Sequence, residues 1–107
     1  MDGRLFTFVC EFRGTTHVSQ VSATDEHEAV RLWAGVVRSE RPFARASSHL
    51  AKSVESGASS FQPVALSGLS SVWCITGSCG GDLMLADIVE TATSSRADKH
   101  GAKAKAA

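Results

Sequence analysis

Three cysteines, at positions 10, 74 and 79, and four histidines are the residues of this chain best suited to metal, redox or nucleophilic chemistry. Two of the cysteines fall in "WCITGSCGGDLMLADIVET", residues 73–91. A structural zinc site needs four ligands, so Cys74 and Cys79 would require Cys10 and a histidine from elsewhere. A dithiol redox pair has two residues between its cysteines, and here there are four. If Gly80 and Gly81 form a two-residue turn, the stretch is a hairpin in which Cys74 pairs with Asp87, Ile75 with Ala86 and Trp73 with Ile88. Side chains alternate along a strand, so an odd separation sends Cys74 and Cys79 to opposite faces. The expectation is a hairpin with two small, buried or half-buried thiols, and neither a metal nor a cofactor. The alternative is a thiol-dependent enzyme or redox sensor using Cys74 or Cys79. Asp87 opposite Cys74 argues against it, because a nearby carboxylate raises a thiol pKa.

Cys10 raises the same question. With Gly14 and Thr15 as a type II′ turn, Phe12 pairs with His17, Cys10 with Ser19 and Phe8 with Val21. Cys10 and His17 are then diagonal neighbours, about 7 Å apart. Their face also carries Phe6, Phe8 and Phe12, so a buried neutral thiol is expected there. "GSCGG" follows a strand but opens no helix and lacks the lysine and hydroxyl of a phosphate loop. "GLSS" lacks the flanking glycines of a nucleophile elbow.

The elements that would position these residues follow from periodicity. "LFTFVCEF" alternates, with Phe6, Phe8, Cys10 and Phe12 on one face and Thr7, Val9 and Glu11 on the other. "HVSQVSA" pairs with it and adds Val21 and Ala23 to the core side. "TDEHEAVRLWAGVVRSE" is a helix with Thr24 as N-cap, early acidic residues suited to the helix dipole, and a stripe of Ala29, Leu32, Trp33, Val36 and Val37. Pro42 ends it near residue 40. Phe43, Leu50 and Val54 form one side of a short second helix closed by Gly57. "FQPVALSGLSS" is an irregular connection.

The chain has 107 residues, 43% hydrophobic and 21% charged, the composition of one globular domain. Residues 1–91 carry seven basic and ten acidic groups, a net of −3, and residues 92–107 carry four and one, a net of +3. We expect one domain over 1–91 and a disordered basic tail over 92–107. An acidic body argues against nucleic acid as a partner. No apolar run reaches the length of a signal peptide or a membrane span, which predicts a cytoplasmic protein with reduced thiols and no membrane partner.

The second hairpin is apolar on both sides. Trp73, Ile75, Met84, Ala86 and Ile88 line one face; Val72, Cys74, Leu83, Leu85 and Val89 line the other. One helix covers one face; the segment 43–56 or another molecule must cover the rest, and an uncovered apolar face is an association site. The expected fold is α+β, an antiparallel sheet of about four strands (two hairpins) packed on one main helix, in the order ββα(α)ββ. A hairpin followed by "ATDEHEAVRLWA" loosely resembles small bacterial α+β modules, antitoxin and immunity proteins among them, without a motif that assigns a family. The expected function is a small noncatalytic interaction protein that binds or neutralises a partner protein or forms a homodimer. Leu83, Leu85 and Asp87 are the candidate contacts, and Arg38, Arg41 and Arg45 a candidate polar rim.

Overall fold

A computed structural model describes residues 3–56 and 63–92. Gly57 and the tail from residue 93 onward lie outside them. Five strands and two helices follow in the order β1 (Arg4–Phe12), β2 (Thr15–Ala23), α1 (Glu26–Glu40), α2 (Ala46–Ser56), β3 (Val64–Ala65), β4 (Val72–Cys79) and β5 (Asp82–Thr91). The fold is α+β. The strands form one antiparallel sheet in the order β2-β1-β5-β4-β3, which places β5 in the middle.

Two points extend the sequence reading. The region after Pro42 holds a complete second helix. The connection before β4 holds a fifth strand, whose Val64 and Ala65 pair with Cys74 and Trp73. Two residues are too few to show a period, so nothing in the local pattern distinguishes β3 from a loop.

The first hairpin turns one residue earlier than Gly14–Thr15. Arg13 and Gly14 are its central residues, with φ of 51° and 78°, the two positive values that a type I′ turn requires. Phe12 therefore pairs with Thr15, Cys10 with His17, Phe8 with Ser19 and Phe6 with Val21. Cys10 and His17 are direct partners rather than diagonal ones. Moving a two-residue turn by one position shifts the register by two, so every side chain keeps its face. The second hairpin turns at Gly80–Gly81, φ 60° and 85°, with Cys74 opposite Asp87, Ile75 opposite Ala86 and Trp73 opposite Ile88, as its glycine pair implies.

The helices lie on one face of the sheet. Phe6, Phe8, Cys10, Ile75, Met84, Ala86 and Ile88 point into the layer beneath them and are fully or almost fully buried. Trp33 of α1 stacks on Phe8, with ring centroids 4.8 Å apart and planes 4° from parallel. Its indole Nε1 donates to Ser19 Oγ at 3.1 Å, so a buried polar atom is satisfied. These contacts set α1 over β1 and β2. Helix α2 lies over β4, where Ser53 Oγ accepts from Ser78 N at 3.1 Å and Leu50, Ala51 and Val54 are buried.

The start of α1 differs from expectation by one residue. Asp25 is the N-cap, its Oδ1 accepting from Glu28 N at 2.8 Å. Glu28 Oε1 in turn accepts from Thr24 N and Thr24 Oγ1, so Thr24 sits just outside the helix. The helix ends at Glu40, and Arg41 in the left-handed region (φ 53°) donates its N–H to Val37 O. The buried arc of α1 comprises Ala29, Val30, Trp33, Ala34 and Val37. Leu32, expected in the stripe, is 44% exposed. The second helix packs on the flank of Arg38, which draws the buried arc toward that side and leaves Leu32 outside it.

The Trp33–Phe8 stack is the central contact between layers. Trp33→Ala should lower unfolding free energy by about 3–5 kcal/mol, the range for aromatic truncations in a packed core. Urea titration followed by far-UV circular dichroism measures it, and a loss below about 1 kcal/mol would contradict the packing described.

Candidate functional site

Among the described residues, nothing covers the face of the sheet away from the helices. Residues that alternate with the core positions meet there in rows across the strands. One row runs Val18, Val9, Asp87, Cys74 and Val64 across all five strands. Beside it lie Gln20, Thr7, Val89 and Val72 on one side, and Thr16, Glu11, Leu85 and Thr76 on the other. Leu83 continues the face toward the Gly80–Gly81 turn. Among these, Val18, Val64 and Leu83 are 58%, 63% and 65% exposed, and Leu85 and Val89 are also exposed. The result is an aliphatic band with a rim of hydroxyl and amide groups, including Gln20 Nε2 donating to Thr7 Oγ1 at 2.9 Å.

Asp87 is exposed in the middle strand, between Val9 and Cys74. Among the described strand residues, Asp87 and Glu11 are the only ionisable acids or bases on this face apart from the Cys74 thiol, and both are acidic. The site thus combines apolar contact area with one central carboxylate. Leu83, Leu85 and Asp87, singled out from sequence, all fall on it. Val9, Val18 and Val64 belong to it as well. For Val9 and Val18 the signal was the same alternation, since each sits one position out of phase with core residues; Val64, on a two-residue strand, carried none.

Arg38, Arg41 and Arg45 stand elsewhere. They belong to α1 and its connection to α2, on the helix side of the sheet, so they do not rim the open face. Arg38 makes a bidentate pair with Glu55 of α2, its Nη1 2.9 Å from Oε2. That pairing raises the Arg38 pKa and lowers that of Glu55. Arg38 thus joins the two helices. Arg41 and Arg45 are exposed at the connection.

The thiols are arranged as a hairpin dictates. The β4–β5 ladder runs unbroken from Val72 opposite Val89 to Cys79 opposite Asp82, without a bulge at Gly77–Ser78 to bring the cysteines together. Cys74 lies on the open face, and Cys79 packs against the core on the other. Cys74 is pushed up, first by burial and then by Asp87, which disfavours the thiolate that nucleophilic chemistry requires. Cys10 is fully buried, and burial, aided by Glu11, pushes its thiol up to about 12.

His17, opposite Cys10, is half-buried. Its Nε2 is 3.8 Å from Glu40 Oε1, its ring meets Phe43 edge-on, and its Nδ1 is buried with no hydrogen-bond partner among the described residues. Among those residues, no three of His, Cys, Asp and Glu are grouped so as to hold a metal ion. No helix there is long and apolar enough to cross a membrane.

The raised Cys10 pKa links this thiol to stability. The folded state favours the neutral form, so the contribution is complete below the unfolded thiol range near ~8.5. It is lost as pH climbs toward about 12. Urea midpoints measured from about pH 8 to about pH 11 should fall for the wild type and fall less steeply for Cys10→Ala. Equal slopes would show that Cys10 does not titrate differently on unfolding. Comparison of the chain with protein-family models, with curated proteins and with solved structures found no match.

Proposed function

We propose that this protein is a small noncatalytic interaction module that binds a partner protein through the open face of its sheet. The observation that carries this reading is the exposed aliphatic band of Val18, Val64, Leu83, Leu85 and Val89 on the side the helices do not cover. Contiguous apolar surface of this kind, rimmed by polar groups, is characteristic of association sites. The partner surface that fits is apolar with a basic group placed to meet Asp87, since the face carries no positive charge of its own. Packing two copies face to face about a central two-fold axis would bring the two Asp87 carboxylates together, so this face suits a different protein better than itself. A role in neutralising the bound partner is one form such binding takes.

The test is co-purification from the native source with the tagged chain as bait, in parallel with Leu85→Lys and Asp87→Lys. A partner recovered in stoichiometric amount with the wild type should be lost with both variants, each lowering affinity by about tenfold or more. Thermal melting should move little, as expected for exposed positions. Retention of the partner by both variants, or the lack of any stoichiometric partner, would count against the proposal.

A further inference from the structure

A second surface is equally open, and it is an edge rather than a face. Strand β2 ends the sheet, and its free side has no backbone partner among the described residues. It is nine residues long, "TTHVSQVSA", with no lysine, proline or acidic residue, and it pairs with β1 without a bulge. Exposed edges are usually blunted by just those devices. We propose that two copies of this chain pair antiparallel through β2, about a two-fold axis at Ser19, joining their sheets into one.

The register follows from the hairpin. A two-residue type I′ turn closes with a hydrogen-bonded pair, here Phe12 with Thr15, so the odd-numbered residues of β2 bond to β1. The backbone groups of Thr16, Val18, Gln20 and Ser22 therefore point outward. An antiparallel second copy satisfies all of them in one symmetric register: Thr16 with Ser22, Val18 with Gln20, and Ser19 with itself on the axis. No like charges oppose one another in it, and the partners are small, aliphatic or amide side chains that suit cross-strand pairing.

The helix above the edge fits the same axis. With Trp33 facing the sheet, successive α1 residues turn by about 100°. Arg38 comes round to the α2 flank, where it meets Glu55. Leu32 and Val36 come round to the opposite flank, above the β2 edge. Leu32 is 44% exposed, and its neighbour Trp33 bonds Ser19, which puts Leu32 level with the two-fold axis. In the pair, Leu32 and Val36 of α1 meet their counterparts across the axis. Strand pairing thus supplies hydrogen bonds, and the helix flanks supply apolar contact.

The edge shares Val18 with the open face, but Leu32 lies on the helix flank and Leu85 on the central strand, so Leu32→Glu and Leu85→Lys let the two proposals fail separately. Sedimentation of the full chain from about 1 μM to about 1 mM should show a monomer–dimer equilibrium. Val18→Pro removes one outward N–H and leaves the β1 ladder intact, while Leu32→Glu places two carboxylates beside the axis. Each should weaken dimerisation by about tenfold or more, with the circular dichroism spectrum unchanged. Leu85→Lys should leave the dimer intact. In a Cys74→Ser, Cys79→Ser background, Ser19→Cys should form an intermolecular disulfide under mild oxidation, because the axis pair lies about 4.5 Å apart at Cα. Ser22→Cys, paired with Thr16 of the other copy, should not. A monomer at every concentration overturns the proposal. So does a dimer that Leu85→Lys abolishes, one indifferent to both Leu32→Glu and Val18→Pro, or one that Ser19→Cys fails to cross-link.

Discussion

A sheet has two faces, and the described helices cover only one of them. Helices of 15 and 11 residues lie side by side over the phenylalanines of β1 and the Ile75–Met84–Ala86–Ile88 group of β4 and β5. The Trp33–Phe8 stack fixes α1 on this layer, and the Arg38–Glu55 pair ties α2 to it. Among the described residues nothing else covers the opposite face. In most one-sided sheets the outer positions are polar throughout. Here aliphatic side chains extend from one edge strand to the other around a single central carboxylate, so exposure carries a free-energy cost that binding relieves.

Charge determines what such a surface tolerates. Asp87 sits mid-row on the central strand, flanked by Val9 and Cys74, and a carboxylate there discourages indiscriminate apolar contact. It also discourages a face-to-face copy. The β2 edge carries no ionisable carboxylate or ammonium group, so the constraint that works against self-association on the face is absent there. The two surfaces differ in the physics of recognition: area and one charge on the face, backbone hydrogen bonds along the edge.

The tips of the two hairpins show how distant residues settle local geometry. A type I′ turn needs two positive φ values, and only one of its central residues, Gly14, is glycine. Arg13 accepts φ of 51° while its guanidinium lies 4.7 Å from the Phe12 ring and its Nε 2.6 Å from Asp82 Oδ2 at the other tip. Contacts across 69 positions of sequence support that backbone conformation. A reading confined to residues 12–17 has no access to them and selects the turn that places glycine first.

Alternation by itself determined the faces of β1, β2, β4 and β5, because the period of two survives an error in the turn. The Gly80–Gly81 pair likewise determined the second register, since both central residues freely adopt positive φ. The candidate contacts Leu83, Leu85 and Asp87 were legible for the same reason. Tertiary structure decided the strand order, the two-residue β3, the buried arc of α1 and the position of the arginines. Each depends on which elements meet across long stretches of chain. Periodicity reports only that a side chain has an inside and an outside, and the partner that occupies either side is set by packing.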